Sequence, residues 1–157
     1  MPPDQRPPVP APQTALAQWF FADNPDTESA LRDVIASASE HPHLRYCAQQ
    51  RLACLCLQQG REAEALELFQ ELAALGPTES ASRAFGLAGQ CSVYTLRQDA
   101  PAATATLAKL WPIRSELKDP PMRQVLQHTL QELRSQAGQS LTQPWQEWLD
   151  AQFPSPR

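Results

Sequence analysis

The sequence has few of the residues from which common catalytic and phosphate-binding sites are built. Its 157 residues include only five glycines and three histidines, and no serine stands in a Gly-x-Ser-x-Gly segment. A phosphate-binding loop needs several closely spaced glycines, and the nucleophile motif of many hydrolases needs that serine setting. We therefore expect that the protein is not an enzyme and that it needs no cofactor and no metal.

Positive charge is also scarce. Lysine and arginine number 13 against 17 acidic residues, which gives a net charge of −4. Nucleic-acid and anionic-membrane surfaces are usually basic, so this balance argues against both kinds of partner. No apolar run approaches the roughly 18–20 residues of a membrane span, and residues 1–4 lack the charged start and apolar run of an export signal. We expect a cytoplasmic protein whose four cysteines are reduced, buried thiols.

No segment alternates between apolar and polar residues for long enough to predict a strand, whereas helical periodicity recurs along the chain. Residues 1–12 contain six prolines and are interpreted as a disordered tail. The remainder predicts one all-α domain over 13–153, made of eight helices in four antiparallel hairpins at about 13–40, 44–76, 79–111 and 119–153. Predicted boundary residues include Gly60, Gly76 and Gly138 at helix ends and Asp99 and Asp119 as N-caps.

The hairpins carry an internal repeat. Pro42, Pro77 and Pro112 follow one another at intervals of 35 residues, and Leu52-Ala53-x-x-Cys56 returns at the same interval as Leu87-Ala88-x-x-Cys91. Ala65-x-x-x-Phe69 and the closing Pro77 resemble the signature of a tetratricopeptide repeat. The resemblance implies a solenoid of about three stacked repeats, followed by a C-terminal capping pair of helices.

The resemblance also implies that the protein holds a peptide or a partner helix in a concave groove lined by the first helix of each pair. The resemblance therefore implies a non-catalytic adaptor or chaperone that binds another protein. Because the matching positions are apolar or neutral, an apolar segment is the expected ligand. The predicted groove residues are Trp19, Cys47, Gln50, Cys54, Leu57, Phe85, Gly89 and Ser92.

Other interpretations remain open at this point. The chain is similar, more weakly, to the small three-repeat chaperones of bacterial type III secretion. Its 35-residue period also resembles that of pentatricopeptide repeats, which would imply RNA binding. The acidic net charge argues against an RNA partner. A structural subunit could self-associate or dock on a larger complex through Trp145, Trp148 and Phe153 of the last helix. His41 and His43, followed by Cys47, have the ligand types of a zinc site, but their spacing matches no common pattern and a plain interhelix loop is preferred.

Overall fold

The computed structural model describes residues 25–152, and these form an all-helical domain with no strand in that range. The predicted all-α class is confirmed for this part of the chain. The predicted tail 1–12, the predicted helix 13–22 with Trp19, and Phe153 lie outside the described residues. The helices are α1 (Pro25–Ser37), α2 (Pro42–Gln58), α3 (Glu62–Ala73), α4 (Ser80–Leu96), α5 (Ala100–Leu110), α6 (Pro120–Ala137) and α7 (Gln139–Gln152), with 3-10 turns at Pro77–Glu79 and Trp111–Glu116. Over the same range, none of the helices has the length and apolar character needed to cross a membrane.

Several boundaries follow from local chemistry. Asp99 accepts a hydrogen bond from the Ala102 amide at 3.3 Å, and Asp119 accepts one from the Met122 amide at 3.0 Å. Each carboxylate therefore satisfies a free N–H in the first turn of its helix, as predicted. Gly60 has φ = 75°, the left-handed conformation expected at the turn between α2 and α3.

Other boundaries differ from the prediction. Gly76 has φ = −70° and ψ = 172°, so it is extended and α3 ends earlier, at Ala73. Ser80 is the first residue of α4, and its hydroxyl donates to the Pro77 carbonyl at 2.8 Å. In the next hairpin the left-handed turn residue is Gln98, with φ = 57°. The turn after α4 is thus displaced by three residues from the position 35 after Gly60. This agrees with the expectation, based on Thr95 at that position and on Pro101, that the first helix of this hairpin runs a turn longer.

Helix α4 is the centre of the packing. It contacts α3 and α5, its neighbours in the chain, and also α2 and α6, the first helices of the flanking hairpins. Eleven of its 17 residues are buried. The remaining helices pack against their neighbours in sequence, α1 on α2, α2 on α3 and α6 on α7. The core is therefore continuous along the described chain, with α4 in its middle.

The contact between α3 and α4 depends on two glycines inside α4. A β-carbon on Gly86 would lie 2.5 Å from the Phe69 carbonyl oxygen and 2.6 Å from the Ala73 amide nitrogen, both backbone atoms of α3. A β-carbon on Gly89 would lie 2.2 Å from the Phe69 ring. Phe69 is fully buried, and its ring centroid lies 6.2 Å from that of Phe85. The two glycines thus form a notch that admits the backbone and the ring of α3.

An ion-pair network joins α1 to the start of α3. Arg61 binds both Glu28 and Glu64, the latter at 2.5 Å, and Arg32 bridges to Glu64 at 3.1 Å. The hydrogen bonds from Arg61 lower the pKa of both carboxyls and raise the pKa of the Arg61 guanidinium. The network lies at the surface, where ion pairs contribute little to stability. Its main effect is therefore to orient α1 relative to the α2–α3 hairpin.

The tryptophans of the C-terminal region form an intramolecular cluster. Trp145 is buried, and its ring centroid lies 5.0 Å from that of Trp111 and 6.0 Å from that of Trp148, both edge to face. The Arg114 guanidinium lies 3.8 Å from the Trp111 ring centroid. Trp145 was expected to belong to an exposed docking surface, and this expectation is wrong. Its ring is buried, where it packs the last helix pair against the core.

Candidate functional site

The predicted groove residues of α2 have different environments. Cys47 is exposed, and Gln50 and Leu57 are half-buried. Gln50 donates a hydrogen bond to the Ser82 hydroxyl at 3.2 Å, which ties α2 to α4. Cys54, in contrast, is buried, and this burial raises the pKa of its thiol well above the usual range. Of the predicted groove residues on this helix, Cys47, Gln50 and Leu57 are therefore accessible.

The predicted groove residues of α4 are all buried. Phe85 is 3% exposed and Ser92 is 7% exposed. Gly89 faces the Phe69 ring, so its place on the helix is set by packing against α3. Phe85 and Gly89 therefore do not face an open groove, because their neighbours are residues of the hydrophobic core. Ser92 is the member of this set that borders an open space.

The start of α6 carries a partly buried carboxyl group, Asp119. Asp119 interacts electrostatically with Arg51 and with Cys54, both in the middle of α2. Burial raises the pKa of the Asp119 carboxyl, although the Met122 amide and Arg51 act in the opposite direction. Leu117, just before it, is almost fully buried. The start of α6 is therefore near enough to α2 for its carboxylate to interact electrostatically with that helix.

A cleft with a volume of about 280 Å³ lies between α4 and α6. Its lining is mostly neutral and polar. At one side the Gln136 side chain donates to the Thr95 carbonyl at 3.1 Å and joins the two helices. The residues of the α4–α6 cleft are Ser92, Thr95 and Leu96 on α4, Gln98 in the turn after it, and His128, Thr129, Glu132 and Gln136 on α6.

Leu96 gives this cleft an apolar contact point. Its side chain is 57% exposed, and it is one of two large hydrophobic residues exposed to this degree in the part of the chain that the structure describes. The other is Leu44 in the first turn of α2. Its spacing from Ala48, Leu52 and Leu55 predicts that it shares their buried apolar face, but the structure leaves it 55% exposed. Leu96 lies one turn after Ser92, so the sequence could have identified it by extending the predicted face by four residues.

The α4–α6 cleft can offer hydrogen bonds and one apolar contact. The hydroxyl of Ser92 and the amides of Gln98 and Gln136 are groups that pair with a peptide backbone. His128 and Glu132 lie one turn apart on α6, both exposed, at the rim. Neutral donors and acceptors beside an exposed leucine are suited to holding a short segment of another chain by its backbone and one side chain.

The remaining cysteines, and the histidines considered above as zinc ligands, do not line this cleft. Cys56 and Cys91 are buried, and burial raises the pKa of Cys91 to about 12. His43 Nδ1 lies 3.7 Å from a Glu79 carboxylate oxygen, and its ring meets Tyr46 edge to face. Among residues 25–152, no three His, Cys, Asp or Glu side chains are grouped so as to hold a metal ion.

Comparison of the chain with protein-family models, with curated proteins and with solved structures found no match.

Proposed function

We propose that this chain is a non-catalytic helical module that binds a segment of another protein, and that the segment occupies the α4–α6 cleft. The observation that carries the proposal is the exposure of Leu96 at the rim of an open cleft whose other lining groups are mostly neutral and polar. An apolar side chain of the partner would contact Leu96, and the partner backbone would pair with Ser92, Gln98 and Gln136.

The helix contacts support a tetratricopeptide-like stack as the scaffold for this role. Helices α2, α4 and α6, the first of each pair, contact one another in order, and α3 packs into the notch of α4. Stacked helix pairs present the first helices along one extended face. In this proposal the bound segment runs along the α4–α6 part of that face, and Gln50 and Leu57 of α2 flank it.

A co-purification experiment with matched variants tests the proposal. Leu96→Asp places a charge at the contact point, whereas Leu44→Asp makes the same change at an equally exposed leucine outside the α4–α6 cleft lining. Both substitutions are at the surface, so both proteins should fold normally, as circular dichroism can check. We expect a partner protein from the native cell extract to co-purify with the wild type and with Leu44→Asp and to be lost with Leu96→Asp.

Two results would contradict the proposal. If the same partner remained with Leu96→Asp, binding would lie elsewhere on the surface. If both variants lost it equally, the loss would reflect added charge and not the α4–α6 cleft. Concentration-dependent light scattering on the wild type provides a separate readout, because a dimer lost only in Leu96→Asp would identify the bound segment as part of a second copy.

A further inference from the structure

The tryptophan cluster near the end of the described chain leaves part of two rings uncovered. Trp145 is buried, but Trp111 and Trp148, which pack edge to face against it, are each only half-buried. The Arg114 guanidinium lies 3.8 Å from the Trp111 ring centroid and 5.8 Å from that of Trp148, so the two rings are at most about 9.6 Å apart. We refer to Trp111, Arg114 and Trp148 as the tryptophan surface.

The apolar character of this surface continues along α7. Leu141 and Pro144 lie seven and four residues before Trp148, so all three residues are on one side of the helix. Leu141 is half-buried and Pro144 is exposed. By helical rise the two lie roughly 10 Å and 6 Å from Trp148. An extended ligand on the tryptophan surface would therefore meet further apolar groups along α7.

The charge of Arg114 has no carboxylate partner in the described part of the chain. The Nη1 group of Arg114 donates to the Trp111 carbonyl oxygen at 2.6 Å, and Arg114 takes part in none of the ion pairs formed by residues 25–152. This hydrogen bond and the contact with the Trp111 ring hold the guanidinium in place. An acidic group on a bound segment would meet a positioned cation that can form a charge-assisted hydrogen bond.

The same chain contains a segment of complementary chemistry. Residues 1–12, MPPDQRPPVPAP, include six prolines and a single acidic residue, Asp4. A segment so rich in proline favours the polyproline II helix, which has three residues per turn and a rise of about 3.1 Å per residue. Asp4, Pro7 and Pro10 then share one edge of that helix, each about 9 Å from the next. Grooves lined by aromatic side chains are the usual binding sites for such a helix.

The order of the helices indicates which copy supplies the segment. Residues 1–12 precede α1, whereas the tryptophan surface belongs to α7 and to the 3-10 turn after α5. Helix contacts run from α1 through α2, α4 and α6 to α7, and four such steps span up to roughly 40 Å. The predicted helix 13–22, only about 15 Å long, lies within the connection that would have to cover this distance in one molecule. The segment of a second copy meets no such limit.

From these features we propose that the tryptophan surface binds the proline-rich segment 1–12 of a second copy of this chain. Asp4 pairs with Arg114, Pro7 lies on the exposed part of Trp148, and Pro10 continues along the apolar side of α7. Because each copy offers both a segment and a surface, reciprocal exchange gives a closed dimer with a two-fold axis. Two short segments bury little area, so the dimer dissociates on dilution. This inference does not involve the α4–α6 cleft.

Sedimentation equilibrium of the full chain tests the charge pair. The wild type should form a dimer at high concentration, whereas Asp4→Lys and Arg114→Glu should each weaken it at least about tenfold, because like charges then face each other. Circular dichroism checks that Arg114→Glu folds normally. A mixture of the two variants should recover the dimer, because both interfaces of the mixed dimer then pair opposite charges. Binding within one molecule would give no such recovery.

Proline variants test the contact with the rings. Pro7→Ala with Pro10→Ala alters the edge that carries Asp4 and should weaken the dimer about tenfold. Pro3→Ala with Pro12→Ala makes the same change on another edge and should have a much smaller effect. A wild type that stays monomeric at every concentration, equal effects of the two proline pairs, or a monomeric mixture of the charge variants would overturn the proposal. Leu96→Asp should dimerise like the wild type, which separates this outcome from that of the proposed function.

Discussion

Replacing Gly86 by alanine is a sharp test of how α3 and α4 pack. In an isolated helix this substitution is favourable by about 0.8–1 kcal/mol, because alanine has the higher helix propensity. In the protein the new β-carbon would lie 2.5 Å from the Phe69 carbonyl oxygen and 2.6 Å from the Ala73 amide nitrogen. These are backbone atoms of α3, which cannot give way as a flexible side chain can, so the two helices must move apart. Overpacking of a core costs about 1–3 kcal/mol or more.

The packing cost should exceed the gain in propensity, so we expect Gly86→Ala to lower the free energy of unfolding by about 1–2 kcal/mol. Urea denaturation at constant pH measures it, with the m-value showing whether the transition remains two-state. Gly76→Ala is the matched control, since Gly76 has a negative φ and no atom within 4 Å of its added β-carbon. Its stability should be unchanged or slightly increased.

A second substitution separates the backbone clash from the ring clash. Gly89→Ala places its β-carbon against the Phe69 ring, so Phe69→Leu should partly rescue it in a double-mutant cycle. The same Phe69→Leu change should not rescue Gly86→Ala, whose closest contacts are backbone atoms. A stabilising Gly86→Ala, or equal rescue of both alanines, would refute the close approach of the two helices.

Three further predictions concern the turn, the ion pairs and the thiols. Gln98→Gly should raise the free energy of unfolding by up to about 1 kcal/mol in urea melts, because glycine adopts a positive φ without strain; a loss of stability would contradict this. Arg61 lowers the pKa of Glu28 and Glu64, so its stabilising effect is complete above the ordinary glutamate pKa of about 4.3 and is lost as pH falls through the lower folded-state pKa. Arg61→Gln should therefore be less stable than the wild type at neutral pH, and urea melts over a pH series should show this difference shrinking in acid; a constant difference would rule out the linkage. In a thiol-reagent assay, Cys47 of the native protein should react quickly and the other three thiols slowly, with all four reacting in urea, whereas a second fast native thiol would contradict the burial.

The local features of the fold were predictable from the sequence. Asp99 and Asp119 cap their helices, and Gly60 turns the chain through a left-handed conformation. Each depends on a few neighbouring residues and on backbone groups that every helix end leaves unpaired. The all-helical class followed in the same way, from apolar periodicity within single segments.

Features that depend on distant neighbours were not predictable. The pattern assigns Leu44 to the core, but the first turn of α2 meets too few neighbours to cover it. Gly89 was assigned to the groove by its position in the repeat, whereas the Phe69 ring occupies the space beside it. The sequence did contain one indication of this contact, because two glycines three residues apart inside one helix indicate a close approach of another helix.

The candidate site shows the same division. The sequence predicted a site along the first helices of the pairs and included Ser92, which does border the open cleft. It did not include Leu96, although this residue lies one turn beyond Ser92 on α4. It also did not include His128 or Glu132, because the second wall of the cleft comes from α6, about 35 residues further along the chain. The electrostatic interaction of Asp119 with Arg51 of α2 likewise joins segments that no local pattern connects.

Site-specific photo-crosslinking from the α4–α6 cleft tests the central claim most directly. A photoreactive amino acid is placed at His128, which lines the cleft, and in a second protein at Gln127, which is exposed but does not line it. Proposed binding in the cleft predicts that irradiation in native cell extract yields one defined adduct with a partner protein from position 128 and little from position 127. The same adduct in equal yield from both positions, or from position 127 alone, would contradict it.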